Sequence, residues 1–211
     1  MSFETFEKQS ADKRNRIIAA GLAEFSIRSY LDANTDVITK SCGISKGLLY
    51  HYFGSKKEFY LYCLSRSLDR LTQKQDPQQG DFYEILFGIM DRKLKLCAEY
   101  PAETRFVNMA SRETALEIAE GVKAFFGKYA MKMLEASASA MERALLTLPL
   151  KTDSNLAREG LLLYTNAVIS KYLLAYQESP EEFFKNADEI KSKIKEYIDL
   201  MLFGVIKGSL K

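Results

Sequence analysis

Hydrophobic residues recur at steps of three and four along most of the chain, a period that places them on one face of an α-helix. The pattern predicts helices over about residues 10–25, 34–42, 46–52, 55–75, 81–96, 102–112, 116–148, 153–176 and 180–205. Residues 1–9 precede the first apolar stripe and are expected to be frayed. The sequence has no convincing alternation of apolar and polar residues between hairpin turns. We therefore predict an all-α protein.

The stretch 34–59 combines three helix starts with tight turns. Asn34, Ser45 and Ser55 each precede a helical pattern, and all three are residue types that cap a helix by accepting a backbone N–H bond. Gly43 lies between the first two helices, where glycine can adopt the left-handed conformation that ends a helix. This spacing predicts a helix-turn-helix followed by a longer helix.

The short second helix of this motif, about Lys46 to Tyr52, is predicted to bury Leu49 together with Tyr52 or Phe53. Gly47 is a poor helix former, and its missing side chain would let the backbone approach another surface, although a tolerated defect is the alternative. The remaining residues share an outer face that suits a groove: Lys46, Gly47, Leu48, Tyr50 and His51. The next helix starts beside Lys56 and Lys57, where free N–H groups and the helix dipole favour a phosphate.

Three consecutive motifs carry a resemblance to a known family: Gly43-Ile44-Ser45-Lys46-Gly47, Leu49-Tyr50-His51-Tyr52-Phe53 and Ser55-Lys56-Lys57-Glu58. Together they resemble the DNA-binding signature of the TetR family of bacterial transcriptional regulators. Ala33-Asn34-Thr35 and Ser41-Cys42 depart mildly from the family's usual small, threonine-rich opening and its alanines before the turn. The resemblance implies a helix-turn-helix DNA-binding domain over residues 1–60, joined by a continuous fourth helix to a helical ligand-binding and dimerisation domain over residues 61–211.

The resemblance also implies roles for the residues of the motif. Lys46 and His51 would contact base edges or phosphates, Gly47 would permit a close backbone approach, and Leu48 would meet a thymine methyl group. Five residues would hold phosphates: Thr35, Ser45, Tyr50, Tyr52 and Lys56. Because one recognition helix reads only a few base pairs, a homodimer on palindromic double-stranded DNA is expected.

The overall charge does not by itself indicate a nucleic-acid partner, since the formal net charge is +2. Residues 1–60 hold nine Lys or Arg against seven Asp or Glu, so the whole excess is N-terminal. The case for DNA therefore rests on where individual lysines lie rather than on the total.

For the C-terminal region, the resemblance implies a small-molecule effector bound inside the helical bundle. The candidate lining is largely apolar: Phe87, Met90, Phe106, Met109, Phe126, Tyr129, Met133 and Tyr164. Ordinary core packing is the alternative for each of them. Asn166 interrupts an apolar helix, so it would orient a ligand, fix a dimer register or lie in solvent.

The last two predicted helices have broad apolar faces, which favour pairing with their copies in a four-helix bundle. The candidate interface residues are Leu162, Ile169, Tyr172, Tyr176, Ile190, Ile194, Tyr197 and Met201. Completion of a monomer's own core is the alternative.

Several functional classes are disfavoured by the sequence. Apolar runs are too short for a membrane span, and Met1 to Lys8 lacks a signal-peptide pattern, so a cytoplasmic protein is expected. Cys42, Cys63 and Cys97 form no metal-binding pattern, and no nucleophile–base pair, carboxylate pair or phosphate loop is present, so no metal, cofactor or enzymatic activity is expected. The favoured function is a homodimeric repressor released from its operator by a small, largely apolar molecule; the alternative is a helical adaptor acting through protein contacts of the C-terminal helices.

Overall fold

The computed structural model describes residues 3–73, 79–149, 155–176 and 180–204, and within them all regular structure is helical. The all-α prediction is confirmed. The helices are α1 (Glu4–Glu7), α2 (Ala11–Phe25), α3 (Thr35–Cys42), α4 (Lys46–Phe53), α5 (Lys56–Leu71), α6 (Phe82–Glu99), α7 (Pro101–Ser111), α8 (Leu116–Leu146), α9 (Asn155–Ala175), α10 (Pro180–Lys185) and α11 (Ala187–Phe203).

The chain forms two compact units. Unit 1 comprises residues 1–75 and 95–135, and unit 2 comprises residues 76–94 and 136–211. Helices α6 and α8 contribute residues to both units. These units describe packing, whereas the domain boundary near residue 60 concerns function and stays a prediction.

The core of unit 1 is rich in aromatic side chains. Phe53, at the end of α4, lies 4.7 Å from Phe59 and 4.6 Å from Phe6, measured between ring centroids. Tyr60 on α5 contacts Phe25 on α2 and Phe106 on α7 at 4.9 and 5.0 Å. Tilted and edge-on aromatic pairs add directional attraction to the burial of apolar area. The helix-turn-helix therefore packs on an aromatic core to which α2, α5 and α7 contribute.

The expectation of a frayed N-terminus is wrong for residues 3–9. Residues 4–7 form the short helix α1, and Phe6 is fully buried in the aromatic core. Tyr62 on α5 donates a hydrogen bond to the Glu7 carboxylate. The apolar anchor is only one turn long, so helical periodicity could not distinguish it from a disordered leader.

The core of unit 2 forms where α9 and α11 pack together, and α8 contributes Ala144 and Leu145. The C-terminal helix is interrupted at Asn186, so the single predicted helix is two, α10 and α11. Ile190 and Ile194 are 2% and 3% exposed inside this core. They are core residues of the chain itself, and the prediction that they form an interface needs correction. The predicted end of this helix, Val205, lies outside the described residues.

Within the described part of the chain, we find no helix with both the length and the apolar character needed to span a membrane.

Candidate nucleic-acid interface

The turn between α3 and α4 has the conformation that its glycine requires. Gly43 adopts φ 66° and ψ 38°, the left-handed region, and the Ile44 N–H donates to the Thr39 carbonyl over 3.0 Å. Ser45 then caps α4, with its hydroxyl accepting from the Leu48 N–H over 3.1 Å. A side chain other than glycine would be disfavoured at this φ, so the angle between the two helices depends on Gly43.

The two faces of α4 are those predicted from the sequence. Leu49 and Phe53 are each 1% exposed and pack into the core of unit 1. The opposite face carries Lys46, Gly47 and His51, which are exposed. Leu48 and Tyr50 are half-buried at its borders. A Cβ at Gly47 would meet only the Ser45 hydroxyl, at 4.0 Å, so the backbone is open to an approaching surface.

Thr35 does not have the exposure that an independent phosphate contact requires. Thr35 is 6% exposed, and its hydroxyl oxygen lies 3.5 Å from the hydroxyl oxygen of Tyr50. The contact joins the start of α3 to the outer edge of α4. Thr35 can thus orient Tyr50, which is the more exposed of the two residues.

Tyr52 belongs to the core rather than to the outer face, which corrects its prediction as a phosphate contact. It is 7% exposed and its ring lies 5.5 Å from that of Phe6. The Lys13 ammonium donates to the Tyr52 hydroxyl over 2.8 Å. Tyr52 therefore links α4 to α2, and its polar group is already satisfied within the protein.

Lys46 is paired with a carboxylate that sequence reasoning missed. Its ammonium lies 3.0 Å from Asp36 in the first turn of α3, and the hydrogen bond from this pair raises the pKa of Lys46. Both side chains are about half exposed, at 48% and 52%. The two residues are ten positions apart on different helices, so only the fold brings them together. DNA would have to compete with Asp36 for Lys46.

Lys56 is held at the start of α5 by the loop that precedes α3. Its ammonium donates to the Leu31 carbonyl over 3.2 Å and lies 4.9 Å from the centroid of the Tyr30 ring. Ser55 caps α5 by accepting from the Glu58 N–H over 3.1 Å. A cation next to a capped helix start is a favourable place for a phosphate group.

The predicted ligand-lining residues are divided between the two units. Phe106, Met109, Phe126, Tyr129 and Met133 belong to unit 1, and Phe87, Met90, Tyr164 and Asn166 belong to unit 2.

Two members of this set have clear roles in the structure. Phe106 is fully buried against Phe25 and Tyr60, so it is a core residue, which corrects its prediction as a ligand contact. Asn166 is exposed, which corresponds to its solvated alternative. A small open cleft in unit 1, between α5 and α8, includes Tyr129 but none of the other predicted lining residues.

The cysteines are separated in the fold. Cys42 and Cys63 are buried, and burial raises the pKa of both thiols. A raised pKa disfavours the reactive thiolate. Within the described residues, no group of three or more His, Cys, Asp or Glu side chains could hold a metal ion.

Over the residues that the structure describes, the chain is an all-α protein with a helix-turn-helix formed by α3 and α4. Residues 17–63, which run from α2 through α4 into α5, match the family model described as bacterial regulatory proteins of the tetR family. The N-terminal part of the chain is therefore a domain of the TetR family.

A curated relative is similar to part of the chain. The chain is 38% identical over 61 residues to the HTH-type transcriptional activator FasR of Mycolicibacterium smegmatis, a match that covers 29% of this chain and 28% of that protein. The chain thus matches little more than a quarter of the length of this curated relative.

Solved structures of bacterial transcriptional regulators share the fold over nearly the whole chain. A TetR family regulator of Chloroflexus aurantiacus is 22% identical with a TM-score of 0.53, covering 94% of this chain and 95% of its own. FadR of Bacillus subtilis, solved in complex with stearoyl-CoA, is 14% identical with a TM-score of 0.55, covering 90% and 98%. At these identities the likeness establishes the fold.

Proposed function

We propose that this chain is a sequence-specific transcriptional regulator that binds a palindromic operator as a homodimer, through the outer face of α4. The observation that carries the proposal is the exposed face of Lys46, Gly47 and His51 on a helix whose opposite face is anchored in an aromatic core. Such a helix can enter the major groove without losing its own packing.

The groove contacts follow from exposure and chemistry. Lys46 and His51 offer donors for base edges or phosphates, and Leu48 offers an apolar contact for a thymine methyl group. Tyr50 and Lys56 flank them and would bind phosphates, which position the helix without reading sequence.

Dimerisation is proposed through α9 and α11. Because Ile190 and Ile194 are buried, the contacts are assigned to exposed residues of these helices instead. Leu156, Leu163 and Leu174 are 77%, 64% and 64% exposed. The latter two follow Leu156 at about two and five helical turns, so all three share one face of α9. Gly160 has open space on that helix, which permits close packing of a second helix. A row of exposed leucines is typical of a surface that another protein covers.

Of the interface residues predicted from the sequence, Met201 is 38% exposed, whereas Leu162, Ile169, Tyr172, Tyr176 and Tyr197 are half-buried. These residues would border the proposed contact. Tyr197 also accepts a hydrogen bond from Lys171 over 2.7 Å at its hydroxyl, which holds the α9 and α11 edges together.

The effector is proposed to be a small, largely apolar molecule that binds the C-terminal region and releases the operator, as in a repressor. It can act only by binding the two states of the dimer with unequal affinity, and a tenfold preference is worth about 1.4 kcal/mol. FasR is named as an activator, but the same contacts can activate or repress depending on where the operator lies.

The first experiment selects bound sequences from a random duplex pool with the purified protein. We expect enrichment of a palindrome whose half-sites lie about one helical turn apart, roughly 34–36 Å. Tyr50→Ala and Lys56→Ala should each weaken binding to the selected duplex about tenfold, and Lys56→Ala, which removes a charge, should also weaken the salt dependence. Lys123→Ala, which changes an exposed lysine near the start of α8, is the matched control and should bind normally.

An absence of any enriched motif at low salt would contradict the proposal and favour the adaptor alternative. Once an operator is known, stearoyl-CoA is a suitable first probe for release, because its acyl chain is long and apolar; free coenzyme A is its control. Release by stearoyl-CoA alone would support an apolar effector.

A further inference from the structure

The Lys56 side chain is held in place by a loop that is itself anchored from α8. The ammonium uses one hydrogen bond to the Leu31 carbonyl and faces the ring of Tyr30. A lysine ammonium has three donors, so two remain for a phosphate. A flexible lysine that is oriented before binding loses less conformational entropy when the complex forms.

Tyr30 is fixed by two carboxylates, Glu113 in the segment just before α8 and Glu117 in its first turn. It is 2% exposed, and its backbone N–H donates to Glu113 over 2.6 Å. Its hydroxyl donates to Glu117 over 2.7 Å. The ring also packs edge-on against Tyr60, with centroids 5.4 Å apart. Tyr30 is therefore restrained at its backbone, its ring and its hydroxyl.

Glu113 connects this loop directly to the beginning of α8. While one carboxylate oxygen accepts from Tyr30, the other accepts from the backbone N–H groups of Thr114 and Ala115, each over 3.0 Å. Glu117 lies in the first turn of α8. The place of the Tyr30 ring, and with it that of Lys56, thus depends on where α8 begins.

We propose that Tyr30, anchored by Glu113 and Glu117, is a positioning residue that holds the Lys56 ammonium ready for a DNA phosphate, so that the first turn of α8 controls this contact. The inference rests on the proposed DNA-binding function. Glu113 and Glu117 lie far from the helix-turn-helix in sequence. They would affect DNA binding through Tyr30 and Lys56 rather than by contacting DNA.

The test measures the affinity for the selected duplex as a function of salt. Each phosphate contact contributes about 0.9 to the slope of log affinity against log salt, so loss of one contact per protomer lowers a dimer's slope by about 1.8. Tyr30→Leu keeps an apolar side chain but removes the ring face and the hydroxyl. It should weaken binding about fivefold and lower the slope to the value measured for Lys56→Ala.

Two further comparisons separate positioning from stability. The double variant Tyr30→Leu with Lys56→Ala should have the same slope as Lys56→Ala alone, because the contact is lost only once. Glu117→Ala removes the acceptor of the Tyr30 hydroxyl and should lower the slope, whereas Glu117→Gln retains an acceptor oxygen and should rescue it. Circular dichroism of each variant measures the folded fraction, which changes the active concentration but not the slope.

The outcomes are distinguishable. If the wild-type protein binds duplex DNA, and Tyr30→Leu and Glu117→Ala have the same salt slope as wild type, the positioning role alone is overturned. A wild-type protein that binds no duplex at low salt would overturn the proposed function and this inference together. If Tyr30→Leu does not fold, the Glu117→Ala and Glu117→Gln pair decides the question.

Discussion

At the residue scale, the proposed DNA-binding face contains a competing negative charge. Asp36 pairs with Lys46 across the α3–α4 turn, and both are half exposed. Exposed ion pairs are weak because water screens them, so DNA can displace Asp36, but the carboxylate repels a phosphate at close range. The exposed face of α4 should therefore bind DNA more weakly than it would if Lys46 had no acidic neighbour.

Asp36→Asn should tighten binding to the selected duplex about fivefold and steepen the salt dependence, because Lys46 is freed and a repulsive charge is removed. Helix stability should fall slightly, by about 0.3–1 kcal/mol, because Asp36 lies in the first turn of α3 and favours the helix dipole. Asp188→Asn is the control, since Asp188 lies in the first turn of α11 and also pairs with a lysine. Equal or weaker DNA binding by a folded Asp36→Asn protein would contradict the prediction.

The carboxylate of Asp199 should make the free energy of unfolding depend on pH. Hydrogen bonds from Lys195 and from Tyr83 lower the pKa of Asp199 below its ordinary value. A lowered native pKa means that its stabilising contribution is present above the unfolded pKa of about 3.9 and is lost as pH falls through the native pKa.

We therefore expect the difference in free energy of unfolding between wild type and Asp199→Asn to be constant above about pH 5 and to shrink below about pH 4. Urea titrations at a series of pH values measure it. A difference that grows on acidification would show that the sign of the pKa shift is wrong.

At the element scale, the short helix α1 acts as an anchor for the helix-turn-helix. Phe6 fills the space between Tyr52 and Phe53 on α4 and Tyr62 on α5. Its contacts are to the buried side of the proposed recognition helix. Removing this ring should affect the stability of unit 1 and the order of α4 together.

Phe6→Ala should destabilise the protein by about 3–5 kcal/mol, the usual cost of removing a fully buried phenylalanine. Ile27→Ala is the control, since Ile27 is 68% exposed in the same unit, and it should cost less than about 0.5 kcal/mol. Denaturant unfolding measures both. Equal losses in the two variants would mean that α1 does not pack as described.

At the scale of the whole molecule, the proposal depends on a second copy of the chain. The buried stripe of α11 completes the core of unit 2, so the partner must be met by the outer face of α9 and the exposed end of α11. Leu200 and Phe203 are 49% and 82% exposed there.

Leu163→Glu should convert the dimer to a monomer in sedimentation experiments, because a carboxylate from each copy would be buried without a partner. Leu116→Glu, at a leucine that is 92% exposed at the start of α8, should leave the dimer intact. A dimer that survives Leu163→Glu would place the contact elsewhere.

Much of the fold was predictable because its signals are local. The caps Asn34, Ser45 and Ser55 and the glycine turn at Gly43 are each used as their residue types predict. The buried face of α4 followed from periodicity alone. Helix α1 was missed because one turn is too short for a period to be recognised.

The sequence by itself determined the helical class, the helix-turn-helix and the exposed face of α4, because caps, turns and periodicity act between near neighbours. Only the tertiary structure decided which polar groups meet: Asp36 with Lys46, Lys13 with Tyr52, and Glu113 and Glu117 with Tyr30. It also decided that Ile190 and Ile194 are core residues of the protomer. Such pairings depend on how whole helices pack, and an apolar stripe does not specify which surface will cover it.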